Sequence, residues 1–169
     1  MKSIIHIVSY NSPCGELELG SIDEKLCMCD WVTEKHHKSI MTRLRYNLNA
    51  DIEYSECQCL YNASHCLDEY FKGQRTTFDI PLLFIGTEFQ KMVWEKLLDI
   101  PYGSIESYGA LAKRINHPKA VRAVANANGA NAISIFVPCH RVIGSNGSPT
   151  GYGGGIPAKL FLLNLETKR

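Results

Sequence analysis

The stretch "SYGALAKRINHPKAVRAVANANGAN", residues 107–131, carries two helical patterns separated by a short break. In the first, Tyr108, Leu111, Ala112 and Ile115 recur at helical spacing on one face. In the second, Pro118 falls at the first helical turn and Gly129 where a helix would end, with Val121, Val124 and Ala125 as the buried stripe. A further helix is predicted just upstream, in "GTEFQKMVWEKLLDIPYG", residues 86–103. It opens with Thr87 and Gln90 in capping-box spacing, stops at Pro101 and Gly103, and carries Phe89, Met92, Val93 and Leu97 on its stripe. Three helices with short connections predict a helix-turn-helix.

Outside its stripe the third helix carries Arg122, Ala123, Asn126, Ala127 and Asn128. Small residues let a helix axis approach another surface closely. That surface is either the protein's own interior or a nucleic-acid groove, with Arg122 then projecting into the base stack.

Toward the N-terminus the pattern changes. Segments 3–9, 15–20 and 26–33 alternate as short strands, broken by turn chemistry in "NSPCG" and "SIDEK". Helices are predicted around 35–48 and 59–72, the second with Leu60, Ala63, Leu67 and Tyr70 on one stripe, closed by Gly73. "TTFDIPLLFIG" reads as an extended connector, since Pro81 has no amide to donate within a central strand. The expected division is therefore residues 1–84 and 85–169. The 169 residues suffice for two small units or one larger one. Residues 1–84 hold 8 Lys/Arg against 12 Asp/Glu, a net of −4, and residues 85–169 hold 10 against 5, a net of +5. A basic half fits a polyanionic partner, and ordinary scatter of surface charge gives the same sums.

No run of apolar residues is long enough for a membrane span, and the opening residues turn polar too early for a secretory signal, so a cytoplasmic location is expected. Seven cysteines without such a signal are expected to be reduced thiols. The pairs Cys27/Cys29 and Cys57/Cys59, near His36, His37 and His65, raise a zinc site, but C-x-C is tighter than structural-zinc spacing. In alternating strands it places two small side chains on one face.

The chemistry concentrates in "ISIFVPCHRVIG", residues 133–144, where an apolar run read as a strand leads into Pro138, Cys139, His140 and Arg141. A thiol is nucleophilic as thiolate, so it needs a base, and the base needs a third group to fix its tautomer. His140 is the nearest base, although neighbours in a regular strand point to opposite faces. The closing helix, "IPAKLFLLNLETKR", is expected to bury Leu160 and Leu163 and to end near Glu166. The helix dipole disfavours an anion there unless a cation or donor faces it, and Lys168, Arg169 or His140 could do so. The glycine-rich "GSNGSPTGYGGG", residues 144–155, lacks the residues of a phosphate-binding loop and reads as a flexible pocket wall carrying Tyr152.

Together these stretches resemble the methylated-DNA–protein-cysteine methyltransferases, the O6-alkylguanine-DNA alkyltransferases. "PCHRVIGSNGSPTGYGGG" is similar to the family's active-site signature, and "FKGQR", "GTEFQKMVWEKLLDIPYG", "SYGALA", "HPKAVRAVANANGAN" and "KLFLLNLE" occur in the family's order. The resemblance implies an α+β fold: a small ribonuclease-H-like sheet domain with flanking helices, then a helical winged-helix or helix-turn-helix domain. It implies a protein that binds duplex DNA through the minor groove and flips O6-alkylguanine, with O4-alkylthymine as a further candidate. The alkyl group would pass irreversibly to the protein's own cysteine, with no metal or organic cofactor and with the protein acting as a monomer.

Residue by residue, the resemblance implies Cys139 as acceptor, His140 as water-linked base, Glu166 as its carboxylate partner and Asn131 as the brace of the turn. Arg122 matches the finger that fills the vacated duplex. Tyr108 matches the tyrosine that turns the target phosphate and protonates the leaving base, and Ser145 and Tyr152 match guanine-pocket positions. Ala132 and Gly153 depart from the common pattern, standing where members often carry proline and serine. The cysteines do not fall where some members hold an N-terminal zinc.

Three alternatives compete. A non-catalytic lesion-binding relative lacks the motif cysteine. A cysteine hydrolase normally sets its nucleophile at a helix N-terminus. A plain helix-turn-helix regulator leaves the thiol without a task.

Overall fold

The computed structural model describes residues 2–168 and divides into two compact units, Met1–Ile85 and Gly86–Arg169. The fold is α+β, with a small sheet in the first unit and helices dominating the second.

In the first unit, strands β1 (Ser3–Ser12), β2 (Gly15–Ile22) and β3 (Lys25–Trp31) form an antiparallel meander. Helix α1 (Glu34–Leu48) then returns the chain so that β4 (Ala50–Glu53) pairs parallel with β1, in the sheet order β3-β2-β1-β4. Strand β1 shows the half-buried alternation read from its sequence, with Ile5 and Ile7 inward. Strand β3 is buried from Leu26 to Trp31, so Cys27 and Cys29 are core side chains, with Cys29 opposite Leu19 of β2. Helix α2 (Gln58–Phe71) packs on the meander. Cys57 and Cys59 therefore lie at a helix N-terminus and not in a strand. Among the described residues, no group of three or more His, Cys, Asp and Glu is arranged to hold a metal ion.

Four details tie this unit together. Helix α1 ends at Asn49 in the left-handed region (φ 47°), where its amide reaches the carbonyls of Arg45 and Tyr46. The β2–β3 hairpin turns on Asp23 and Glu24, both at positive φ, the geometry of a two-residue turn that matches strand twist. Glu24 then extends its carboxylate to the amide of Cys59 (2.9 Å), capping α2, whose own N-cap side chain makes no cap bond. The connector is extended as expected, and Leu26 exchanges backbone bonds with Pro81 and Leu83 (2.8 and 2.9 Å).

In the second unit, α3 (Glu88–Leu97) opens with the full reciprocal capping box of Thr87 and Gln90. Its buried face includes Trp94 with Val93 and Leu97, while Phe89 and Met92 are only half-buried. Helix α4 (Tyr108–Arg114) is capped by Ser107 and buries Leu111 and Ala112. Helix α5 (Val121–Gly129) begins later than expected, because Pro118 sits in a preceding turn in which the amide of Ala120 bonds the carbonyl of His117 (2.9 Å). Its register also differs from expectation. Val124, Ala127 and Asn128 face inward, Ala125 is half-buried and Val121 is 39% exposed. The Trp94 indole sets that register by donating to the carbonyl of Ala127 (2.8 Å).

The short strands β5 (Glu106–Ser107) and β6 (Val142–Ile143) pair parallel, and α6 (Ile156–Thr167) closes the unit. No helix among the described residues is long and apolar enough to cross a membrane.

Candidate active site

The apolar run before Cys139 is not a strand but a buried turn. The amide of Phe136 bonds the carbonyl of Ser134 (2.9 Å) and that of Val137 bonds Ile133 (3.0 Å). Ile135, a β-branched residue, is held at φ 72°, a conformation that costs on the order of 1–3 kcal/mol and persists only where its surroundings impose it. Asn131 does so from both sides. Its amide nitrogen donates to the carbonyl of Val137 (3.1 Å) and its side-chain oxygen accepts from the amide of Ile133 (3.0 Å).

Beyond Pro138 the chain enters a 3-10 turn, Cys139–Arg141, which changes the geometry that a strand would impose on adjacent residues. Cys139 is 4% exposed. Its carbonyl accepts from the side chain of Asn128 (3.2 Å), so α5 and the thiol-bearing turn are joined directly.

His140 is wholly buried, and its Nε2 lies 2.7 Å from Oε2 of Glu166, a residue of the last turn of α6. The cation facing Glu166 is Arg141, whose Nε donates to Oε1 (2.8 Å) and whose terminal nitrogens reach Oε2 (3.0 Å) and the carbonyl of Ile100 (2.6 Å). Burial opposes the charge on Glu166, but hydrogen bonds from His140 and Arg141 outweigh it and hold the carboxyl far below its usual range. Burial pushes the His140 imidazole below its ordinary value, and the contact with Glu166 only partly compensates. With Glu166 ionised and neutralised by Arg141, the shared proton belongs to His140 Nε2. The opposite nitrogen, Nδ1, is left as a lone pair with no protein partner. The constellation can therefore accept one proton.

Gly103 makes room for this cluster. Its φ of 80° suits glycine, and a Cβ there would meet the carbonyl oxygen of Glu166 at 3.1 Å. Its amide donates to Oε1 of Glu166 (3.4 Å).

Tyr108 stands at the first position of α4, its hydroxyl 3.3 Å from the carbonyl of Thr150. Burial, and then the nearby Cys139, push its phenol upward and keep it protonated. Tyr152 is half-buried in the glycine-rich loop, and Ser145 is exposed in the tight turn that Gly144 and Ser148 close (2.8 Å). Arg122 is exposed on α5, outside the buried cluster. The structure thus joins Cys139, His140, Glu166 and Asn131, places Tyr108 beside them, and leaves Arg122 and Ser145 on the surface.

Two side chains escaped the sequence reading. Asn128 looked outward-facing because the register of α5 was read differently. Lys159 is fully buried on α6 and donates to the carbonyls of Val142 (2.6 Å), Thr150 (3.1 Å) and Gly151 (3.4 Å). Burial depresses its ammonium, and the neighbouring Cys139 opposes that shift. The glycine-rich loop is therefore pinned at its inner end. The buried side of α6 is Ala158, Lys159, Leu162 and Glu166, whereas Leu160 is 42% exposed and Leu163 half-buried. The signal was the helical spacing of Lys159, Leu162 and Glu166, masked by apolar residues all round the helix. Arg141 is a buried partner of Glu166 and does not face solvent.

Comparison with known proteins adds an independent line. The family model for the ribonuclease-like domain of 6-O-methylguanine DNA methyltransferase matches residues 5–84, and that for its DNA-binding domain matches residues 88–168. A methylated-DNA–protein-cysteine methyltransferase of Methanosarcina acetivorans is 56% identical over 157 residues, covering 93% of this chain and 95% of its own. That of Mycobacterium tuberculosis is 43% identical, covering 98% and 94%. The crystal structure of Mycobacterium tuberculosis OGT in complex with DNA superposes with a TM-score of 0.82 at 40% identity, covering 96% of this chain and 92% of that one. The chain belongs to the 6-O-methylguanine DNA methyltransferase family. Neither a non-catalytic lesion binder nor a cysteine hydrolase is favoured. Cys139 is present, and its own amide is committed to the carbonyl of Val137 (2.7 Å) rather than opening a helix dipole toward a substrate.

Proposed function

We propose that this protein repairs DNA by direct reversal, taking the alkyl group of O6-alkylguanine onto Cys139 in a single-turnover reaction. As a member of its family it is a methylated-DNA–protein-cysteine methyltransferase. Residues 85–169 carry the DNA-binding and acceptor functions, and residues 1–84 support them. The protein works as a monomer, in the cytoplasm, on the minor groove of duplex DNA.

The observation that carries this reading is the buried pair of Glu166 and neutral His140, next in sequence to the buried Cys139, with Arg141 balancing the carboxylate. His140 Nδ1 receives the thiol proton through a bridging water. The thiolate attacks the alkyl carbon on O6, the S–C bond forms as the C–O bond breaks, and the electron pair departs on the guanine. Tyr108, kept protonated, returns a proton to the leaving base. Asn131 and Asn128 fix the turn that aims the sulfur. Arg122, exposed on α5, fills the space left by the flipped nucleotide, and Ser145 and Tyr152 line the guanine pocket. The product is a thioether, whose carbon water does not readily attack, so the protein is consumed.

Incubation with an oligonucleotide containing O6-methylguanine should add one methyl group per molecule, recovered as S-methylcysteine at position 139. Cys139→Ala should accept none while still binding the oligonucleotide. Absence of the mass gain in the unaltered protein, or repeated turnover on an ester, would overturn the reading.

A further inference from the structure

The first unit is acidic overall, yet the outer face of α1 is not. Lys35, Lys38, Thr42, Arg45 and Tyr46 follow one another along that face, all exposed, with Tyr46 85% exposed. Two grooves of about 660 and 490 Å³ flank this row and share Lys38, Thr42 and Tyr46. Lys2 and Asn49 complete the larger groove, and Ser39 and Arg43 the smaller. Among the described residues no acidic side chain lines either groove, and Lys2 is paired with Asp51 at 3.5 Å, so the free charges of the face are Lys35, Lys38 and Arg45 of the helix.

We infer that the α1 face is a second DNA-contacting surface, one that takes the phosphate backbone of duplex DNA independently of the alkyl-acceptor site. Beside the apolar Met41, Ala50 and Ile52 of the larger groove, the polar lining is the set of groups that contact phosphates: Lys and Arg for charge, Ser, Thr, Asn and Tyr for neutral donors. Ten residues of helix separate Lys35 from Arg45, about 15 Å at the rise of an α-helix, a reach that spans several successive phosphates of one strand. The charges stand in water, so each can release a condensed counterion when a phosphate arrives. Half-buried Arg43 is engaged from below by Asp30 and belongs to the wall more than to the contact. Duplex DNA is named as occupant because its charge complements the face and because the inference rests on the repair reading, in which DNA is the partner always at hand.

The test compares the full chain with the variant carrying Lys35→Ala, Lys38→Ala and Arg45→Ala. Dissociation constants for an undamaged duplex oligonucleotide are measured between about 50 and 200 mM salt. Loss of three phosphate contacts should shallow the plot of log affinity against log salt by up to about 2.7, at about 0.9 per contact, and weaken binding at least tenfold at the lowest salt. Methyl transfer from the free base O6-methylguanine, which needs no DNA, should be unchanged. Charge-preserving replacements (Lys35→Arg, Lys38→Arg, Arg45→Lys) should keep the original slope. An unchanged slope and affinity in the alanine variant would overturn the inference, as would loss of the slope in the charge-preserving one. Failure of the unaltered protein to take methyl from damaged DNA would instead overturn the repair reading and leave the slope comparison intact.

Discussion

Each unit sets a histidine against carboxylate oxygens, His140 fully buried and His37 half-buried, and the two are driven in opposite directions. In the second unit, His140 touches one carboxylate through one nitrogen, and Arg141 already balances that carboxylate. Burial then wins, and the imidazole is held neutral below its ordinary value of 6.5. In the first unit, His37 is gripped through both nitrogens, by Asp30 at 3.0 Å and by Glu18 at 2.5 Å. Two carboxylate acceptors favour an imidazolium with both nitrogens donating, and the hydrogen bond to Asp30 raises the His37 pKa over the opposing effect of burial. His36 holds the other oxygen of Asp30 at 3.0 Å, and these contacts overcome burial to lower the Asp30 carboxyl. The lesson concerns counterions. His140 shares its single carboxylate with a two-pronged arginine, and burial prevails. His37 faces two carboxylates whose combined pull outweighs burial even with His36 and Arg43 near Asp30.

Breaking the first arrangement should have the largest effect. His140→Ala removes the proton acceptor and should slow alkyl transfer by about 10²–10⁴-fold in single-turnover assays, at the scale of general-base contributions. Arg141→Met leaves Glu166 buried with His140 as its sole balancing cation. Stability should fall by about 3–5 kcal/mol in urea unfolding. In the folded fraction the acid limb of the transfer rate should move to higher pH, because His140 must then carry the charge. An acid limb in the Arg141→Met protein that coincides with that of the unaltered one would show that the arginine does not govern the imidazole.

The second arrangement predicts a pH signature with a definite sign. His37 has a raised folded pKa, so its contribution is fully present below 6.5, the unfolded value, and fades as pH rises through the folded one. His140 has a lowered folded pKa, so its environment costs stability as pH falls below 6.5, where the unfolded chain takes up the proton. His37→Gln should therefore lose about 1–3 kcal/mol on the acid side of neutrality, the scale of hydrogen bonds to charged groups, and the loss should shrink toward alkaline pH. Urea midpoints across that range check it. Thr87→Ala, which removes an exposed helix cap, should cost only about 1 kcal/mol, with no pH dependence, and calibrates both clusters against an ordinary contact.

Much of this was legible in the chain, for physical reasons that can be named. The capping box at Thr87 and Gln90 is local chemistry, and the alternation of β1 follows from a sheet with one covered face. The link from Glu166 to His140 was open to the dipole argument, although Lys168 and Arg169 were equal rivals for it. What stayed hidden depends on distant partners. Strand β4 is four residues long and contributes Ala50 alone to the core, so it has no periodicity to read. The run at residues 133–137 is apolar because it is buried, and only the side chain of Asn131 reveals that it turns. Lys159 is inside because three backbone carbonyls wait there, a fact no propensity records.

The parallel pairing of β1 with β4 also orders events in time. Ser3 meets Ala50 at a sequence separation of 47, whereas the β1–β2 and β2–β3 hairpins close over a few residues. Chain entropy makes the distant pair the costlier one to close, so the meander is expected to assemble before β4 docks. The larger basic groove draws Lys2 from the start of the chain and Ala50 and Ile52 from β4. It is therefore expected to be among the last surfaces of its unit to form.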